Sequence, residues 1–218
     1  MQKTLKQFWD SYQMKYATRD NYKSKFLSAH DAIRYMIHGW EIPDFDYHFN
    51  GWGFRGTFDP ERDMCIGDSR TFGWGIDEQY TYASLLGANN FGICGAGWQT
   101  FSRVANNWLS EYKPKNLYLL QAWGSRREID FHGEYLLVSE HTNQNIGHEL
   151  FPRTTHEEDE QVRLRNLSMI QSLCQMHNIN LVYISMEDFI PSNQGARDGA
   201  HPDEQWNADI AKEFQKRC

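Results

Sequence analysis

The chain has 218 residues, of which 40% are hydrophobic and 15% aromatic, and its formal net charge is −7. This composition allows one core domain with an appendage and excludes a disordered chain, because enough apolar surface exists to be buried. The acidic balance, without a cluster of lysines and arginines, excludes the basic face of a nucleic-acid-binding protein. No apolar run approaches the roughly 20 residues that span a bilayer.

Cysteine usage and the amino-terminal segment indicate the compartment. Cys65, Cys94, Cys174 and Cys218 are widely spaced and form no C-x-x-C pair, which is typical of buried or free thiols in a reducing compartment and not of a disulfide framework or a zinc site. Residues 1–20 lack the apolar stretch of a secretory signal. We therefore expect a cytoplasmic protein with no membrane partner.

The first sixty residues differ from the rest of the chain. Residues 3–16 and 20–37 carry helix-compatible patterns, with apolar side chains every three or four positions in the second segment. Residues 41–63 are rich in aromatic residues and punctuated by glycine and proline, which predicts an ordered loop that wraps the core. The sequence thus predicts a helical extension over residues 1–60, packed on a core domain over 61–218.

From residue 64 onward, short apolar strands alternate with helical patterns. The predicted strands are 64–67, 90–94, 116–123 and 179–185, and the predicted helices are 78–87, 98–111, 127–138, 157–177 and 203–216. This alternation predicts a three-layer α/β/α architecture with a parallel sheet and right-handed crossovers. Such sheets bind their ligands at the carboxyl ends of the strands, where Ser69, Gly95 and Ser125 are expected to lie.

The segment Gly67-Asp68-Ser69 directly follows the first core strand. It is either an ordinary strand-to-loop turn or a device that holds the Ser69 hydroxyl out at the edge of the sheet. A given tripeptide occurs by chance in about one chain in twenty of this size, so a second feature has to decide. A serine hydroxyl is a poor nucleophile at neutral pH and needs a base that takes its proton.

A candidate base lies near the carboxyl terminus. His201 follows Asp198 by three residues, with Gly199 and Ala200 between them. Such a turn lets a carboxylate fold back to Nδ1 of the imidazole and set its tautomer. The pair can equally be a capping turn, because Pro202 stands where a helix commonly begins.

Together, the Gly-Asp-Ser segment and the Asp-x-x-His segment resemble the SGNH (GDSL-type) hydrolase family over residues 61–218. The resemblance implies a flavodoxin-like three-layer fold with Ser69 as nucleophile and with Asp198 and His201 completing a catalytic triad. It also implies that the backbone N–H groups of Ser69 and Gly95 bind the oxyanion. The glycines around Gly95 can in addition serve a tight strand-to-helix turn.

The third sequence block of that family departs from its usual pattern. The family has Gly-x-Asn-Asp after the third strand, and the Asn side chain is a third oxyanion donor, whereas here the Asn position falls on Gly124. The missing donor can be the Ser125 hydroxyl, a backbone amide of Gly124 or Ser125, or a guanidinium of Arg126 or Arg127. The short tether of the hydroxyl favours Ser125.

Further residues near the proposed site are candidates for substrate binding. Trp74, Trp98 and Trp123 lie close to the site segments, where aromatic walls suit an acyl chain or a sugar ring, although tryptophans near strand ends also serve as core packing. Arg126 either recognises an anionic part of a substrate or belongs to a solvated helix start paired with Glu128.

These features predict a serine esterase that hydrolyses a carboxylic ester, an O-acetyl or short acyl group, without a cofactor or metal. The histidines between residues 130 and 156 fit no zinc-binding pattern. The expected partner is a small-molecule or carbohydrate ester, whose identity stays open, as does the oligomeric state. The alternatives are an acyltransferase that uses the same triad and a non-catalytic binding or structural relative that lost the third-block Asn.

Overall fold

The structure is a computed structural model. It describes residues 48–122, 126–131, 134–138, 155–185 and 201–218. The two helices predicted within residues 3–37 lie outside the described residues, and the division of the chain at residue 60 stays a prediction.

The described elements alternate along the chain. The strands are β1 Met64–Gly67, β2 Asn89–Gly92, β3 Asn116–Leu120, β4 Arg127–Phe131, β5 Glu134–Val138 and β6 Asn180–Ile184. The helices are α1 Ser69–Phe72, α2 Tyr82–Leu85, α3 Trp98–Trp108, α4 His156–His177 and α5 Glu204–Arg217, with a short 3-10 turn at Glu78–Tyr80.

Four of the strands form a parallel sheet in the order β2-β1-β3-β6. Alternate residues of each strand point to opposite sides of the sheet, and both sets include buried apolar side chains, so both faces are apolar. Ile66 and Leu119 face a core cluster that includes residues of α3 and α4, whereas Cys65 and Tyr118 face a second cluster with residues of α2 and α5. Helices therefore cover both faces, and the predicted three-layer α/β/α architecture is confirmed.

The two long carboxyl-terminal helices begin at side-chain caps. Thr155 and Glu158 form a capping box at the start of α4, and the Asp203 carboxylate accepts a hydrogen bond from the Trp206 backbone at the start of α5. Such caps satisfy amides that have no partner within the helix. The helices begin and end within one residue of the predicted 157–177 and 203–216.

The prediction of a helix over residues 127–138 is wrong. The segment forms an antiparallel pair, β4 with β5, in which Arg127 is opposite Val138 and Phe131 is opposite Glu134. The sequence carries the reason: Gly133 interrupts the pattern, and glycine is unfavourable in a helix interior. On either side of it are five-residue runs that contain isoleucine, phenylalanine, tyrosine and valine, the residue types favoured in strands.

The region predicted as one helix over 78–87 is divided. Thr81 lies between the 3-10 turn and α2, with extended backbone, and its side chain accepts a hydrogen bond from the Ser84 amide. Gly87 follows α2 with a φ of 66°, a left-handed conformation that glycine adopts without strain.

Among the described helices, none combines the length and apolarity that a membrane span requires.

A buried arginine ahead of β1 holds the segment that follows α1. The Arg55 side chain is 1% exposed. Its Nη1 donates to the carbonyls of Phe72 and Gly73, at 2.8 and 2.5 Å, and its Nη2 donates to the carbonyl of Ile76 at 2.6 Å. One guanidinium thus satisfies three backbone acceptors in the loop that carries Trp74.

We expect Arg55→Ala to lower the free energy of unfolding by at least about 2 kcal/mol, because the buried carbonyls of Phe72, Gly73 and Ile76 lose a charged donor. The measurement is a urea unfolding curve monitored by tryptophan fluorescence. Arg62→Ala is the matched control, since the Arg62 side chain is 48% exposed and pairs with Asp59 at the surface, where such pairs contribute little. Equal stability of the two variants would contradict a structural role for Arg55.

Candidate active site

Ser69 stands at the carboxyl end of β1 as the first residue of α1. The Asp68 side chain accepts a hydrogen bond from the Arg70 amide at 2.9 Å and so caps this turn. Gly67 is required by space, because a Cβ there would lie 1.7 Å from Thr71 Oγ1. The turn closes at Gly73, whose φ of 77° places it in the left-handed region. The local sequence therefore builds a tight strand-to-helix turn that carries Ser69.

The structure brings His201 to Ser69. His201 Nε2 lies 2.9 Å from Ser69 Oγ, although the two residues are 132 positions apart in the sequence. His201 precedes the first residue of α5 by three positions, and α5 is anchored on the sheet by Trp206, Ile210 and Phe214. A neutral imidazole with a bare Nε2 accepts the hydrogen bond of the serine hydroxyl, which is the relation between a nucleophile and its general base.

Gly95 lies at the same edge of the sheet. Gly67 is paired with Gly92 in the β1–β2 register, and the Ile93 amide donates to the Gly67 carbonyl at 3.0 Å. Gly95 follows two residues later with a φ of 79°. The exits of β1 and β2, which carry Ser69 and Gly95, are thus neighbours.

Three of the predicted site residues, Asp198, Ser125 and Trp123, lie outside the described residues. Their roles remain predictions.

The three tryptophan predictions have different outcomes. Trp74 is partly buried, and its ring centroid lies 6.2 Å from that of the His201 imidazole. Trp98 is 0% exposed and packs on Phe101 and Tyr183 within the core. The expectation that Trp98 contacts substrate is wrong, because the first residue of α3 faces the sheet and not the surface.

The Arg126 guanidinium makes contacts that the sequence analysis did not anticipate. Its Nη1 donates to Asp68 Oδ2 at 2.7 Å and to the Ala96 carbonyl at 3.2 Å. The predicted pairing with Glu128 is wrong, since the Glu128 carboxylate binds Arg103 at 2.6 Å. No helix starts here, and strand geometry sends neighbouring side chains to opposite faces.

Two guanidinium groups enclose the Asp68 carboxylate. The Asp68 side chain is 1% exposed, and Arg70 binds it through Nε, which donates to Oδ1 at 3.1 Å, and through Nη2, which donates at 2.9 Å to Oδ2, the oxygen that Arg126 also binds. Burial raises the pKa of Asp68, but the attraction of Arg70 and Arg126 outweighs burial, so the pKa lies below its usual value. The sequence signal for this cluster was an arginine directly after the serine, a charged residue in an otherwise buried turn.

We expect Asp68→Asn to destabilise the protein by about 3–5 kcal/mol at neutral pH, because two partly or fully buried guanidinium groups lose their carboxylate. The lowered pKa also means that ionised Asp68 stabilises the fold above about pH 4 and that this contribution is lost as the pH falls further. Urea unfolding at pH 7 measures the first effect, and the comparison of pH 5 with pH 3 measures the second.

The wild type should therefore lose more stability between those two pH values than Asp68→Asn does. Asp209→Asn is the control, since the Asp209 carboxylate pairs with Lys212 in an exposed position, where solvent screens the interaction. It should keep the wild-type pH dependence, and the same behaviour in Asp68→Asn would contradict the assignment.

Comparison with known proteins gives structural matches alone. No family model and no curated protein matches the chain. It is similar to the structure of a lipolytic protein of the G-D-S-L family from Desulfitobacterium hafniense, with 14% identity, a TM-score of 0.36 and coverage of 71% of this chain and 97% of that one. A family 3 carbohydrate esterase from Clostridium thermocellum matches with 17% identity, a TM-score of 0.37 and coverage of 71% and 93%.

The match to a GDSL-like lipase from Bacteroides thetaiotaomicron covers 87% of this chain and 99% of that one, with 16% identity and a TM-score of 0.35.

Proposed function

We propose that the protein is a serine hydrolase that cleaves a carboxylic ester, with Ser69 as nucleophile and His201 as general base. The observation that carries this proposal is the 2.9 Å contact between Ser69 Oγ and His201 Nε2. The contact joins the exit of β1 to the segment before α5, at the edge of a parallel sheet where such folds bind their ligands.

The proposed reaction proceeds in two steps. Ser69 Oγ attacks the carbonyl carbon, its proton moves to His201 Nε2, and the carbonyl electron pair moves to oxygen. The tetrahedral intermediate collapses when His201 gives that proton to the leaving alkoxide, which departs as an alcohol. Water then attacks the acyl-enzyme with the same histidine as base, and this releases the acid and restores Ser69. In this proposal, Asp198 orients the imidazole through Nδ1.

The backbone around Ser69 supports an oxyanion site. The Ser69 carbonyl accepts hydrogen bonds from the amides of Gly73 and Trp74, both at 3.0 Å, so the turn is held from its carbonyl side. Within the described ranges, the amides of Ser69 and Gly95 have no hydrogen-bond acceptor. Amides that are fixed in place and lack an acceptor are the donors that stabilise a tetrahedral oxyanion.

Trp74 supports the substrate class. Its ring lies beside the His201 imidazole, and also 6.1 Å from the Phe72 ring, which holds it in place. A fixed aromatic face beside the base suits the apolar face of a sugar ring or a short acyl chain. The proposed substrates are accordingly carbohydrate or small-molecule esters that carry an O-acetyl or short acyl group.

We expect Ser69→Ala to lower kcat for p-nitrophenyl acetate by at least about 10³-fold and to abolish labelling by a fluorophosphonate probe, because the nucleophile is lost. Release of p-nitrophenol measures the first effect, and mass spectrometry of the labelled peptide measures the second. Ser172→Ala is the matched control, since this serine lies on an exposed part of α4, and it should retain full activity. Turnover in Ser69→Ala equal to that of the control would overturn the proposal.

We expect His201→Ala to lose activity to a similar extent and to regain part of it when imidazole is added, because the soluble base replaces the missing one beside Ser69. The rate of acetate release at rising imidazole concentration is the measurement. Ser69→Ala under the same conditions is the reference, and imidazole should not restore its activity. A His201→Ala protein that folds and turns over like the wild type would show that this histidine is not the base.

A further inference from the structure

We propose that Arg126 is the third oxyanion donor of this site, in the role that the sequence analysis gave to Ser125. The guanidinium donates to the negatively charged oxygen that forms when Ser69 attacks the ester. The inference rests on the proposed serine hydrolase function and assigns a further catalytic residue to it.

The anchors of Arg126 directly adjoin the two backbone donors. Nη1 binds the carboxylate of Asp68, the residue before Ser69, and the carbonyl of Ala96, the residue after Gly95. The Arg126 side chain thus bridges the exits of β1 and β2, the two segments that carry the proposed oxyanion amides.

The backbone of Arg126 is held as firmly as its side chain. A Cβ added at Gly97 would lie 2.7 Å from the Arg126 carbonyl oxygen and 2.9 Å from its Cβ, so glycine is needed for this close approach to the start of α3. On the other side, Arg127 Nη1 donates to the Arg126 carbonyl at 3.1 Å. A donor that is fixed before the reaction needs no reorganisation when charge develops, which is the condition for electrostatic catalysis.

Arg126 retains donors after its anchors are satisfied. A guanidinium has five N–H groups, and both anchors are bound through Nη1. Within the described part of the chain, Nε and Nη2 have no acceptor. The side chain is 18% exposed, so it reaches the surface beside the buried Asp68. These N–H groups are the ones assigned to the oxyanion.

The charge of the cluster favours an anion. One carboxylate, Asp68, is shared by two guanidinium groups, Arg70 and Arg126, so the three side chains carry a net charge of +1. Arginine stays protonated throughout the pH range of enzyme assays. Hydrogen bonds from a charged donor to an oxyanion are about twice as strong as those between neutral groups, so one guanidinium can replace the amide of the absent asparagine.

The test compares Arg126→Ala, Arg126→Lys, Ser125→Ala and the control Arg163→Ala on p-nitrophenyl acetate and on the anionic mono-p-nitrophenyl succinate. Arg163 is a matched control because its side chain is 22% exposed and pairs with a carboxylate, that of Glu160, on α4. We expect Arg126→Ala to lower kcat by about 10²–10³-fold on both esters, with KM changed by less than about threefold. Guanidinium ion should restore part of the lost activity.

Arg126→Lys keeps the protein folded because an ammonium still pairs with Asp68. Its kcat should nevertheless fall by more than about tenfold, since a lysine bound to the anchors has no planar second N–H group for the oxyanion. Arg163→Ala should retain the wild-type kcat within about twofold.

Three outcomes would overturn the inference even if Ser69 proves essential. One is a wild-type kcat in both Arg126 variants, and another is a fall in kcat for Ser125→Ala without a fall for Arg126→Lys. The third is a fall in activity confined to the succinate ester, which would assign Arg126 to the binding of a substrate carboxylate. If the wild type shows neither turnover nor fluorophosphonate labelling, the proposed function fails and this inference fails with it.

Discussion

The buried carboxylate of Asp68 is the interaction on which the site depends. It caps the turn that carries Ser69, and it binds both Arg70 and Arg126. A buried carboxylate is stable only when charged partners and hydrogen bonds offset its desolvation, and here the partners come from its own turn and from the segment that follows β3. The same side chain therefore holds the turn that carries Ser69 and the guanidinium of Arg126.

The parallel sheet converts this local arrangement into a site. Alternation along β1 and β3 sends one set of side chains to the α3–α4 layer and the other set to the α2–α5 layer, and the carboxyl ends of the strands share one edge. Asn207 secures the position of α5, because its side-chain oxygen accepts a hydrogen bond from the Tyr82 amide at 3.0 Å. His201 lies just ahead of this helix and therefore meets Ser69. Packing far from Ser69 Oγ and His201 Nε2 thus determines the distance between these two atoms.

The misplaced predictions have a common physical cause. Segment 127–138 includes helix-forming residues, but the pairing of β4 with β5 and the glycine between them decide the conformation of the segment. Strand preference depends on such context. Trp98 begins the helix that follows β2, a place where a tryptophan serves equally well as core or as cleft wall. The contact between Arg126 and Asp68 was not predicted because the two residues are 58 positions apart, and no local pattern reports a contact at that separation.

The amino-acid sequence by itself determined the alternation of strands and helices, the apolar faces of α4 and α5, and the residue types at the site, because these follow from local periodicity and from chemistry that only a few side chains can perform. The tertiary structure alone decided that Ser69 and His201 meet, that Trp98 is core, and that Arg126 binds the carboxylate of Asp68, the residue before Ser69. Each of these is a contact between remote segments, and its geometry depends on how the layers pack and not on the neighbours along the chain.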